Sequence, residues 1–138
     1  MPSDIMMETE GTTMPQYNAI VLRVGETFQK VHVDFSRPNA VAEAIGAEGV
    51  RILHTMGTLE LGERIGQHIC GAYDRYAGED ADSNAAAEEL TGYEFVPGDI
   101  LLCGCDSKYE FEPLTMSALF RLVEALEELE CDEEAPKN

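Results

Sequence analysis

The sequence predicts an α+β fold: one mostly antiparallel sheet of five or six strands with two or three helices packed mainly on one face. Three observations carry that prediction. Pro97-Gly98 is a turn signal, and Ile100-Leu101-Leu102-Cys103 after it is the most uninterrupted apolar run in the chain, closed by Gly104 and Asp106. A run this short between turn residues reads as a strand buried on both faces. Residues 17–35 alternate twice around a glycine, as a hairpin does. From Thr115 to about residue 130, Leu119, Phe120, Leu122, Val123, Leu126 and Leu129 fall on one broad arc of a helix, with Glu124, Glu127 and Glu128 opposite.

Taken in order, residues 1–16 are polar and aperiodic, with four Met, three Thr and three acids, and read as a disordered leader within which Met14 is a candidate start. In residues 17–24, Ile20, Leu22 and Val24 share one face and Tyr17, Ala19 and Val21 the other. Gly25-Glu26 predicts a two-residue hairpin turn with Gly at its first position. The return strand, residues 27–35, turns Val31, Val33 and Phe35 inward and Lys30, His32 and Asp34 outward.

Ser36-Arg37-Pro38 predicts a helix start, with Ser36 or Arg37 as cap, running to about Ala47 and burying Val41, Ala42 and Ile45. Residues 50–54 read as a short strand, residues 57–64 as a turn-rich connection, and residues 65–76 as a bulged or edge strand because of Gly66 and Gly71. Residues 77–83 form an acidic loop. Residues 84–90 make a short helix capped by Ser83 or Asn84 and stopped by Gly92, and residues 108–112 a last short strand. The domain expected is thus residues 17–130, with residues 131–138 an acidic tail.

At 138 residues and 44% hydrophobic the chain has the size of one domain. No apolar run approaches the roughly 20 residues of a membrane span, and the leader lacks the basic start and apolar core of a signal peptide. A cytoplasmic location is expected, with Cys70, Cys103, Cys105 and Cys131 as reduced thiols.

The net charge of −18 is unevenly spread. Residues 1–78 hold ten acids and six bases; residues 79–134 hold seventeen acids and only Lys108 and Arg121 as bases. Such a surface repels nucleic acid and membranes and attracts basic proteins or cations.

Several constellations are weighed against plainer readings. His68, Cys70, Cys103 and Cys105 are four potential zinc or small-ligand contacts, but a one-residue gap within a strand separates paired side chains, where structural zinc sites space them by two to four. Buried thiols acting as small apolar residues are the better account of them. A Cys–His nucleophile has no local support, and no phosphate loop, nucleophile elbow or dinucleotide fingerprint is present. Asp80, Asp82 and Asn84 alternate like calcium ligands but lack the later Gly and Glu of a calcium loop. No catalytic residue, metal or cofactor is therefore expected.

The acidic face remains. Glu124, Glu127 and Glu128 recur at three- and four-residue steps, about 5 to 6 Å apart, and like charges so placed cost helix stability. Glu79, Asp80, Asp82, Glu88 and Glu89 extend the same field. The spacing resembles a run of phosphates; the plain alternative is a solvated face.

Asn84 before a short helix, Gly98-Asp99-Ile100-Leu101-Leu102-Cys103-Gly104, and Pro113-Leu114-Thr115 opening a last helix resemble an uncharacterised family of small proteins encoded on phages and conjugative elements of gut bacteria. The resemblance spans residues 17–129 and departs between Gly57 and Asp82. It carries no activity. It implies a mobile-element setting, in which acidic proteins that blunt host nucleases or restriction systems recur. The function expected is a non-enzymatic acidic accessory protein, of the DNA-mimic, anti-CRISPR or anti-restriction type, that binds the basic nucleic-acid surface of a host defence or DNA-processing protein and not nucleic acid itself.

Overall fold

The structure is a computed structural model that describes residues 17–78 and 81–134. The expected leader, Glu79, Asp80 and residues 135–138 lie outside the described residues. Six strands form one sheet in the order β2-β1-β5-β4-β3, every neighbouring pair antiparallel. They are β1 (Ala19–Leu22), β2 (Gln29–Val31), β3 (Val50–Leu53), β4 (Ile69–Asp74), β5 (Ile100–Cys105) and β6 (Phe111–Glu112), with β6 continuing the sheet beside the far end of β5. Four helices complete the fold: α1 (Ala40–Ala44), α2 (Met56–Ile65), α3 (Ala85–Thr91) and α4 (Met116–Glu134).

β5 is the central strand and all six of its residues are buried. Its alternation splits the core in two. Ile100 and Leu102 join Ile20, Leu22, Leu53, Ile69 and the apolar faces of α2, α3 and α4; Leu101, Cys103 and Cys105 join Ala19, Val21, Cys70, Ala72 and α1. Each fully buried large aliphatic side chain here contributes about 1.5 to 3 kcal/mol.

Four expectations are corrected. Gly25 is the second central residue of an Arg23–Glu26 turn (φ 74°), in which the Glu26 amide donates to the Arg23 carbonyl, so the hairpin turn is longer than two residues. α1 starts later, with Asn39 at its N-cap position but making no side-chain capping bond, because residues 34–37 form a turn in which the Asp34 carboxylate accepts from the Ser36 amide and hydroxyl. The connection expected over residues 57–64 is helix α2. Its cap is a reciprocal box, the Thr55 hydroxyl accepting from the Thr58 amide and the Thr58 hydroxyl from the Thr55 amide. Gly57 and Gly62 punctuate no turn there: a Cβ at Gly57 would collide with the Thr91 carbonyl, and one at Gly62 would come within 2.8 Å of the Gln67 carbonyl. β4, expected as a bulged or edge strand, is interior between β5 and β3, and Gly71 is small because Ile100 of β5 fills the space its side chain would take.

Asn84, only 2% exposed, ties the helices to the sheet. Its amide nitrogen donates to the Leu22 and Gly98 carbonyls at 2.8 and 3.0 Å, and its oxygen caps α3 by accepting from the Ala87 amide. Thr115 caps α4 through the Ala118 amide, as expected, and the helix runs on to Glu134.

Candidate functional site

Three of the four helices lie on one face of the sheet, and that layer concentrates the charge. Among the described side chains, α2, α3 and α4 carry Glu60, Glu63, Glu88, Glu89, Glu124, Glu127 and Glu128 against Arg64 and Arg121, a net of −5. α2 and α4 run antiparallel, since Arg64 reaches Glu128 while Gly66 lies beside Arg121. Their outward side chains form a ridged surface over the core that Leu61, Ile65, Leu122 and Leu126 fill beneath.

The predicted partner-binding residues do not all lie together. Glu89 and Glu128 are exposed and line one groove of about 480 Å³ together with Glu60 and Arg64, where α2, α3 and α4 meet. Glu128 is ion-paired with Arg64, which withdraws part of its charge, although an exposed pair of this kind contributes at most about 1 kcal/mol. Glu124 and Glu127 are exposed on the outer side of α4. Glu88 is a structural group: half-buried, its carboxylate accepts from the Val96 amide at 3.0 Å and holds the return of the chain to β5. Asp82 is exposed in the loop before α3, outside the groove. Glu79 and Asp80 lie outside the described residues. The helical layer adds Glu60 and Glu63 of α2, which reading residues 57–64 as a connection had hidden.

One feature of α4 departs from the apolar arc expected of it. Phe120, placed on that arc by sequence, is 66% exposed, and Met116 one turn before it is 67% exposed. A helix turns 100° per residue, so residues 116, 120 and 124 share a stripe. The outer stripe of α4 thus begins with two bare apolar side chains and ends in Glu124 and Glu127. Exposed apolar groups set beside charge are the composition of a docking surface, in which a few apolar anchors are ringed by polar groups.

The other candidate set does not assemble. Cys70 and Cys103 are directly opposed on β4 and β5, and with Cys105 they are buried free thiols. Hydrogen bonding from Cys103, then burial, pushes the Cys70 thiol far up; burial first, and the neighbouring Cys70, raise Cys105 to about 12. Such thiols stay protonated and are poor nucleophiles and poor ligands. His68 is exposed and turns to His54 instead, the two Nε2 atoms 2.7 Å apart, with the Tyr109 ring edge-on to both. Among the described residues no group of three or more His, Cys, Asp and Glu side chains is placed to hold a metal ion. No helix of the described residues is long and apolar enough to cross a membrane.

Compared with protein-family models, curated proteins and solved structures, the chain matches none of them.

Proposed function

We propose that this protein is a non-enzymatic binding module whose α2–α3–α4 layer docks onto the basic, nucleic-acid-binding surface of another protein. The observation that carries the reading is the outer stripe of α4, where Met116 and Phe120 stand bare beside Glu124, Glu127 and the Glu128 groove. A docking helix needs apolar anchors as well as charge, and this stripe offers both. The carboxylates steer a cationic partner and set the register, and the apolar pair excludes water at the centre. The resemblance to mobile-element proteins supplies the setting, and there the partner is a host defence or DNA-processing protein.

The test is a binding assay against a panel of nucleic-acid-processing proteins, with DNA as competitor. Binding should fall steeply with salt and be displaced by DNA. Reversing Glu124, Glu127 and Glu128 to Lys should weaken it at least about ten-fold, and Phe120→Ser should do so without changing the salt slope. Binding indifferent to all four substitutions rejects the reading.

A further inference from the structure

A cavity at one end of the β3–β4 ladder lies away from the acidic helices and has the opposite chemistry. On the face that α2, α3 and α4 cover, the helices stop short of one end of the β3–β4 ladder. Arg51 and Tyr73 are direct cross-strand partners there, and Arg75 follows two residues on from Tyr73, so all three project from the same face. The left-handed Gly92 cap (φ 74°) turns the chain out of α3 into Tyr93-Glu94-Phe95, which forms the facing wall. Between floor and wall is an open cavity of about 670 Å³, within the range that small organic ligands occupy.

Two features of this cavity are costly unless something fills it. Tyr93 and Phe95 are 46% and 38% exposed, so two aromatic rings stand partly bare over a third, the half-buried Tyr73. Arg51 and Arg75 are diagonal neighbours across the ladder, about 7 to 8 Å apart, and like charges placed near one another on a sheet face repel. The three ion pairs formed among the described residues use Arg23, Arg37 and Arg64. Arg75 instead lies 5.9 Å from the centroid of the Tyr76 ring, a contact that leaves its charge on offer.

We infer that this cavity binds a small aromatic phosphate of the nucleoside monophosphate type, its phosphate held between Arg51 and Arg75 and its base stacked against Tyr93 and Phe95. Both guanidiniums line the cavity, and each can present a fork of N–H donors to a phosphate there, the geometry Arg supplies better than Lys. Stacking on aromatic rings tolerates any base. Glu94, at the rim, accepts hydrogen bonds from sugar hydroxyls or an exocyclic amine. The ligand is a mononucleotide and not a strand, because the chain's net charge of −18 repels a polyanion that extends beyond the cavity. This inference is independent of the docking surface proposed above, since none of its charged or aromatic side chains belongs to that surface.

The test titrates the full-length protein with adenosine and guanosine 5′-monophosphate, followed by calorimetry and by amide chemical shifts. Shifts should concentrate at residues 51, 73, 75 and 93–95. Inorganic phosphate and free adenosine should each bind at least about ten-fold more weakly than the nucleotide, and Arg51→Gln or Arg75→Gln should cost about ten-fold or more in affinity. Thermal melts of both variants matching that of the parent protein exclude misfolding as the cause. The inference is overturned if no shift appears at these residues up to about 10 mM nucleotide, if both Arg variants bind as the parent does, or if a short oligonucleotide binds more tightly than the mononucleotide.

Discussion

The two faces of the sheet are built from the same strands and solve different problems. On one, Ile20, Leu22, Ile69, Ile100 and Leu102 meet three helices, and the large aliphatic side chains make a thick core. On the other, Ala19, Val21, Cys70, Ala72, Leu101, Cys103 and Cys105 meet the five-residue α1 together with Val33 and Phe35 of the segment after β2, and small side chains let that thinner cover suffice. Charge follows the same division. The described side chains of the three-helix layer carry a net of −5, whereas α1 contributes Glu43 alone, and that is paired with Arg37. A face with a thick core has a broad outer helical surface free for recognition; a face covered by one short helix has little to present.

The sharpest way to break this comparison is to empty the two cores in turn. Leu122→Ala removes a fully buried side chain from beneath α4 and should cost about 3 to 5 kcal/mol in urea unfolding. Cys103→Ala, at an equally buried position on the other face, should cost only about 1 kcal/mol because it deletes a single small sulfur. Equal losses would show that the second face is as load-carrying as the first and that the division is one of appearance only.

A smaller effect tests how the helical layer is assembled. Ala is a better helix former than Gly by about 1 kcal/mol, so Gly57→Ala in a freely exposed helix would stabilise. Here the added methyl meets the backbone carbonyl of Thr91, where α3 ends, and backbone yields less readily than a side chain. The expected outcome is a net loss of about 1 to 3 kcal/mol, measured by thermal melting, with Glu60→Ala on the exposed side of the same helix changing stability by no more than about 0.5 kcal/mol. A gain at Gly57 would mean that α2 and α3 do not touch as closely as described.

That glycine also explains what sequence could and could not reveal. Residues 100–105 were legible because six apolar or small side chains in a row permit one interpretation, and Asn84 with Gly92 framed α3 because cap chemistry is local. α2 was not legible. Its glycines look like turn residues until Thr91, far along the chain, is known to lie against them, and its capping box uses Thr58 where Glu or Gln is the usual signal. The interior place of β4 was hidden for a similar reason: Gly71 weakens a strand in isolation, yet here it makes room for Ile100. In the acidic layer, Glu124, Glu127, Glu128 and Glu89 were visible as a periodic charge pattern. The structural duty of Glu88 was not, because its partner, the Val96 amide, belongs to a different element. Arg51, Tyr73, Arg75, Tyr93 and Phe95 had no signal at all. They come from two strands and a loop, and only the ladder register Arg51↔Tyr73 brings the first of them together.

The smallest expected effect belongs to the less covered face and concerns protons. His54 and His68 point their Nε2 atoms at one another, which requires one to donate and the other to accept, so the contact is lost when both rings are protonated. Burial, and then the proximity of His68, hold the His54 pKa below its ordinary value of 6.5. The sign follows directly. The unfolded chain takes up a proton at His54 as pH falls through about 6.5, while the folded chain resists until a lower pH, so unfolding is favoured progressively across that window and stability rises again as pH is raised. Because both rings are partly open to solvent, the effect should be under about 1 kcal/mol. Unfolding free energies measured from about pH 5 to pH 8 should show it in the parent protein, and His54→Gln should flatten that part of the curve. His32→Gln, at an exposed site on the edge strand's extension, should leave it unchanged. A slope that survives His54→Gln would assign the proton uptake to another group and leave the histidine pair with a packing role only.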